Sequence, residues 1–181
     1  MTSRRNVLQT AAGLALASAL PVMPARAAPG PGTGKPGEFD WLTGEWKIHH
    51  RQRKADGTWI EFEGEATCWG ILNGIAHVEE LRIPARDFSG MGLRLLDQET
   101  RVWSDFWVNA KQGQLGTAGL TGGFVNGEGI FESVDETDKT KVYRGVWDRI
   151  AAGKSHRWYQ AASSDGGKTW DISWTMDWTR A

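Results

Sequence analysis

The placement of the tryptophans constrains this chain more than any other feature. All 11 lie beyond residue 40, and several recur at intervals of four, as in Trp103/Trp107 and Trp170/Trp174/Trp178. From Trp170 to Thr179 the even positions are Trp170, Ile172, Trp174, Met176 and Trp178. The odd positions are Asp171, Ser173, Thr175, Asp177 and Thr179. Successive side chains of a strand point to opposite faces, so this segment has one aromatic wall and one small, polar face. Such a strand belongs to an antiparallel sheet wrapped around something apolar, whether a packed core or a ligand.

The rest of the chain alternates in the same way. Strands are predicted near 45–54, 58–68, 75–83, 92–97, 102–109, 113–120, 129–134, 140–148, 155–163 and 168–179. Short turn-rich connections separate them: 54–57, 97–100, 121–123 and 164–167. Only Glu38–Thr43 suits a helical turn. Strands on hairpin connections without crossover helices make an antiparallel meander, and a long meander removes its edges by closing. The expected fold is all-β, an up-and-down barrel of eight to ten strands. Ser163-Ser164-Asp165-Gly166-Gly167-Lys168-Thr169-Trp170 matches an Asp-box turn, but a single copy builds no propeller and reads as a hairpin turn.

Gly44-x-Trp46 at the first strand, with Arg180 directly after the last, resembles the lipocalin/calycin signature. There a tryptophan sits at the closed end of a barrel and a basic residue crosses it. A wider likeness runs through Phe39–Trp46, His49-His50-Arg51, Leu93–Asp97, Trp103-Ser104-x-x-Trp107, Arg157-Trp158-x-Gln160-Ala161, Asp165–Trp170 and Trp174-x-Met176-Asp177-x-Thr179-Arg180. These segments resemble a group of bacterial lipocalin-like proteins of uncharacterised function. The resemblance implies a calycin barrel and little about chemistry. Asp105 and Phe106 depart from its pattern of Ile and Tyr between the two tryptophans, so an acid enters an otherwise apolar interior.

Strand parity predicts which side chains face inward. Trp46 brings Ile48, His50 and Gln52 with it, and the second strand points Ile60, Phe62, Gly64, Ala66 and Cys68 inward. Trp103 and Trp107 bring Asp105 and Asn109, Trp158 brings His156 and Gln160, and Trp147 brings Tyr143. In 75–83 both faces are mixed, and the face with His77, Glu79 and Leu81 is taken as inward. Aromatic walls with a few polar groups make a small-molecule pocket. Trp103, Trp107, Trp158 and Trp174 are the candidate stacking surfaces, and Tyr143, Gln160 and His50 the candidates that orient a polar end. The leading expectation is a binding protein for a small apolar or aromatic molecule. The alternative is a cofactor-free enzyme doing acid–base chemistry, of lyase, isomerase or cyclase type. Its candidate catalytic residues are Glu79 or Asp105 as base, with His77, another histidine or Tyr143 as proton donor. No cofactor is expected. His50, His77 and His156 are the candidate haem or metal ligands, but no His-x-His, His-x₃₋₅-His or Cys-x₂-Cys spacing occurs, so no metal is expected. Cys68 is the one cysteine, which reads as a small buried hydrophobe.

The first residues read as an address. Arg4-Arg5 precedes the small apolar run 10–20, and Ala25-Arg26-Ala27 forms an A-x-A cleavage site. Residues 1–27 are thus expected to be a twin-arginine signal peptide, 28–37 a flexible Pro/Gly leader, and 38–181 one barrel domain. The run is too short and too rich in Ala for a permanent anchor. Removing residues 1–27 leaves 18 basic and 22 acidic side chains, a net charge of −4. No basic stripe remains, which argues against nucleic acid as a partner. A periplasmic or secreted location is expected, and sequence alone leaves the oligomeric state open. N-terminal sequencing of the exported protein should start near Ala28, and Arg4→Lys with Arg5→Lys should block export. An intact N-terminus on the mature species would refute the cleavage, and unimpeded export would refute the twin-arginine route.

Overall fold

The computed structural model describes residues 32–115 and 119–181. The expected signal peptide, and residues 28–31 of the leader, lie outside the described residues. Eleven strands follow a single-turn 3-10 helix at Asp40–Leu42: β1 Gly44–Arg53, β2 Trp59–Ile71, β3 Ala76–Ile83, β4 Phe88–Asp97, β5 Val102–Asn109 and β6 Gln114–Leu115. Then come β7 Leu120–Val125, β8 Glu128–Val134, β9 Val142–Ala151, β10 Ser155–Ser163 and β11 Asp171–Arg180. The order around the sheet is β4-β3-β2-β1-β11-β10-β9-β8-β7-β5, and β4 also pairs with β5. That pairing closes a ten-strand antiparallel barrel. The two-residue β6 pairs with β5 outside the ring. Among the described residues, no helix is long and apolar enough to cross a membrane.

Turn chemistry sets most of the hairpins. The Asp56 carboxylate accepts from the Thr58 N–H at 2.9 Å, and Asp97 accepts from the N–H groups of Glu99 and Thr100 at 2.8 and 2.9 Å. Asp165 accepts from the N–H groups of Lys168 and Thr169, each at 2.9 Å, so the Asp-box segment is a self-bonded turn. One expected turn is corrected. Thr121-Gly122-Gly123 lies inside β7, and the chain reverses at Asn126-Gly127 instead, where φ is 52° and 81°. Two successive positive φ values make a two-residue hairpin turn of the kind Asn-Gly favours. Gly122 pairs with Trp103, and a Cβ there would collide with the Ile130 carbonyl of β8. Of the strand expected at 113–120, Gln114–Leu115 forms β6 and Leu120 opens β7, and β4 starts four residues earlier than expected, at Phe88.

The short helix closes one end of the barrel. Leu42 is fully buried, and its carbonyl accepts from the Trp46 Nε1–H at 2.7 Å. Phe39 lies edge-on to Trp103 and Phe124, with ring centres 5.0 and 4.9 Å apart. Trp103 Nε1–H donates to Glu38 Oε2 at 2.8 Å, which ties the incoming chain to the plug. Trp46 and Arg180 are cross-strand partners, and the guanidinium carbon stands 5.0 Å from the indole centre. Arg180 Nη1 also donates to the Thr43 carbonyl at 2.7 Å. Gly44 (φ 126°) admits this contact, because a Cβ there would collide with the guanidinium. The signature residues therefore form a cation–π lid over an aromatic plug. Arg180→Ala should lower stability by about 1 kcal/mol, the size of an exposed cation–π contact plus its hydrogen bond. A urea midpoint unchanged from wild type would show that the lid contributes nothing.

Candidate functional site

The ladder registers carry one consistent inward face around the ring. Trp46, Ile48 and His50 of β1 pair with Ala66, Gly64 and Phe62 of β2, and Ala66 and Cys68 pair with Leu81 and Glu79 of β3. On the other side Trp147 pairs with Trp158, Trp158 with Met176, and Gln160 with Trp174. His77, Glu79 and Leu81 do face inward, all of them buried. Beyond the plug the barrel holds a cavity of about 360 Å³. Trp107, Trp158, Trp174 and Phe88 wall its outer part, while Trp147, Trp178, Arg94 and Glu79 lie deeper. Glycines make room for these groups. A Cβ at Gly90 would collide with the Trp107 ring, and one at Gly92 would come within 2.9 Å of the Arg94 guanidinium.

Polar chemistry in the wall is concentrated in three neighbouring strands. Arg94 Nη2 donates to Glu79 Oε2 at 2.6 Å, with both side chains only 4% exposed. Arg94 Nε lies 3.3 Å from Asp105 Oδ1, too far off line for a hydrogen bond. The guanidinium carbon is 4.9 Å from the centre of the Trp147 ring and 5.5 Å from that of Phe39. Burial pushes the Asp105 carboxyl up to about 6; Arg94 pulls it down and Glu79 raises it further. The Trp147 N–H faces Asp105 without closing a full hydrogen bond. Arg94 is held firmly cationic by Glu79 and Asp105, which outweigh its burial.

The anticipated site residues divide between the cavity and its surroundings. Trp107, Trp158, Trp174, Gln160, Glu79 and Asp105 all line the cavity. Trp107 and Gln160 are exposed at its rim. Trp103 does not line it; this ring is fully buried in the plug, bonded to Glu38. Tyr143 is 46% exposed, away from the cavity wall. His50 sits behind the wall, stacked on Phe62 with ring centres 4.7 Å apart, and accepts from the Trp174 Nε1–H at 3.2 Å. It therefore positions a lining tryptophan. His77 is buried beside Phe39, with Nε2 3.4 Å from the Thr43 hydroxyl. Cys68 is buried, and burial pushes its thiol well up, so it is no nucleophile at neutral pH. Among the described residues no group of three His, Cys, Asp or Glu side chains could hold a metal ion.

Arg94 is the site residue that strand reading missed. In Met91-Gly92-Leu93-Arg94-Leu95-Leu96 the apolar phase at 91, 93 and 95 suggests an inward face, yet Arg94 points in and Leu95 is exposed. The signal was Asp105: once Trp103 and Trp107 turn inward, that acid does too, and a buried acid needs a cation. Arg94 is its cross-strand partner. His156 has a different setting. It is ringed by Trp41, Trp46, Trp147 and Trp178, at centre distances of 4.9, 4.6, 5.5 and 4.8 Å. Neither ring nitrogen has a hydrogen-bond partner among the described residues. The rings of Trp41 and Trp46 stand nearly perpendicular to it, which allows N–H contact with their π faces.

Fold and site together define a closed antiparallel barrel of lipocalin-like architecture with an aromatic-walled cavity. Compared with protein-family models and with curated protein sequences, the chain gives no match. Function is therefore read from the cavity.

The buried imidazoles make a pH prediction. Burial lowers His50 to about 4, and His77 and His156 to about 3, with Arg86 opposing charge on the first and Arg94 on the other two. All three are neutral in the barrel, whereas an unfolded histidine titrates near 6.5. Their full contribution is present above pH 6.5 and is lost as pH falls toward the folded values, at about 1.4 kcal/mol per pH unit for each. Asp105 runs the opposite way, because its raised value lets the folded state take a proton first between about 6 and 3.8. His49 is raised by its bond to Glu63 and also opposes the loss, but it is exposed and its effect is screened. Net uptake on unfolding should approach about two protons near pH 5, a slope of about 3 kcal/mol per pH unit. His156→Leu should remove about one of them. Urea titrations across pH 4.5–7 with the same slope in both proteins would show that His156 is not held neutral.

Proposed function

We propose that this barrel is an exported binding protein that holds a small apolar or aromatic molecule in its tryptophan-walled cavity. One observation carries the reading: among the described residues the aromatic plug occupies only part of the barrel. Its remaining interior is a cavity of about 360 Å³ walled by Trp107, Trp158, Trp174 and Trp178. That volume lies in the range of small-molecule sites, about 300–1,000 Å³. Two wall tryptophans are held by neighbours, Trp174 from behind by His50 and Trp107 at its side by the stack on Phe88, with ring centres 6.4 Å apart. Pre-set aromatic faces lower the entropic cost of binding. The Arg4-Arg5 and Ala25-Arg26-Ala27 pattern supports a periplasmic or secreted location.

A second reading is favoured by Asp105, whose carboxyl lies in the cavity wall with a pKa near the working pH of a general base. Asp105→Asn keeps the shape and removes the base. It would lower turnover by about 10²–10⁴ in an enzyme and leave a carrier's affinity for an uncharged apolar molecule within a few-fold.

Naphthalene titrated calorimetrically into the protein should bind one per barrel. Trp107→Ala should weaken that binding about tenfold, some 1.4 kcal/mol for a lost stacking surface. Failure of naphthalene and of its hydroxyl, carboxylate and aminomethyl derivatives to bind, or equal affinity in the variant, would refute the assignment of the cavity.

A further inference from the structure

The wall charges are ordered in depth. Glu79 and Arg94 form a close pair at 2.6 Å, each 4% exposed, in the deeper part of the cavity wall, where Arg94 Nη1 has no hydrogen-bond partner among the described residues. Asp105 is the most exposed of the three, at 14%. It receives no closed hydrogen bond from either neighbour: Arg94 Nε is 3.3 Å away but off line, and the Trp147 N–H falls short. The cavity thus meets two carboxylates that share one guanidinium, a net charge of −1 across the three groups, with Asp105 the less closely paired of the two acids. Around it stand the faces of Trp107, Trp158, Trp174 and Trp178.

Each ligand class meets this wall differently. A carboxylate or phosphate would add a second uncompensated negative charge in a partly dry site, which is costly. A wholly apolar molecule would bury Asp105 without giving it a donor, leaving the desolvation cost unrecovered. An organic cation with an N–H group supplies both the donor and the missing charge, and its charge is attracted by indole faces. We infer that the molecule this cavity holds is an aromatic or apolar amine bound as its ammonium, with the N–H donating to the Asp105 carboxylate and the body between the tryptophans. The inference rests on the binding-protein reading above and specifies the ligand for that same cavity.

Four probes that share one ring system separate the possibilities: naphthalene, 2-naphthol, 2-naphthoate and 2-naphthylmethylammonium, titrated calorimetrically at pH 7.5. The ammonium should bind at least about tenfold tighter than naphthalene, and 2-naphthoate more weakly than naphthalene. In Asp105→Asn the ammonium preference should collapse to within about threefold, while naphthalene affinity holds. Should that variant fail to fold, the wild-type ranking decides alone. Naphthalene binding with no gain for the ammonium would overturn the inference and leave the binding reading standing. So would 2-naphthol or 2-naphthoate as the tightest probe, or an ammonium preference that survives in Asp105→Asn. Failure of all four probes to bind would count against the binding reading itself.

Discussion

A guanidinium buried in the middle of the barrel governs how its interior is divided. Taking Arg94 out of water costs several kcal/mol even after relaxation. The cost is offset by Glu79 on β3, Asp105 on β5 and the face of Trp147 on β9. Three consecutive strands are thereby held in one layer by side-chain charge in addition to their ladder. Below that layer Phe39 touches the same guanidinium and the interior is solid with aromatic rings. Above it the interior is open. The ion cluster is the boundary between the part of the barrel that maintains the fold and the part that can take a ligand.

The solid half is unusual in its choice of polar groups. His156 contributes an imidazole to a cage of four tryptophans, where neutrality and π contacts replace hydrogen bonds. The N–H groups of Trp147 and Trp178 are likewise buried without partners among the described residues. Such groups are tolerated because each ring brings a large apolar area, and dense edge-to-face packing adds to it. Acid sensitivity is the thermodynamic counterpart of that arrangement, since a proton on any buried imidazole has nowhere favourable to go.

Much of this was legible in the chain. The inward run of β2 and the Trp46–Arg180 lid follow from alternation and from the physics of a closed end. The even-position wall of the last strand holds only for Trp174, Met176 and Trp178: the register shifts at Gln160/Ala161, and Trp170 and Ile172 pack instead with Tyr159 and Ala161 in a second cluster. The closed all-β fold followed from hairpin spacing. What alternation could not supply was depth along the barrel axis. Trp103 and Trp107 share one face of one strand, yet the first belongs to the plug and the second to the cavity rim. Likewise Tyr143 has the parity of Trp147 but emerges near the rim. In β4 the pattern pointed the wrong way: apolar Leu93 and Leu95 lie on the outside, and the charged Arg94 lies within, because cross-strand charge complementarity with Asp105 outweighs local hydrophobic phase. Glycine was the other blind spot. Gly122 and Gly123 read as a turn, yet they lie within β7, where the missing side chain of Gly122 lets the Ile130 backbone of β8 approach.

Those glycines have a consequence for how such a protein changes over time. At Gly64, Gly90 and Gly92 the missing Cβ is occupied by a neighbour's ring or guanidinium, of His50, Trp107 and Arg94 in turn. The cavity is therefore a cast whose contours are set by absent methyl groups as much as by the aromatic rings. A single-nucleotide change from glycine to alanine at one of these sites would displace the one group beside it and leave the other recognition groups in place. Binding preference in a barrel of this kind can drift in small steps, decoupled from the plug that keeps it folded.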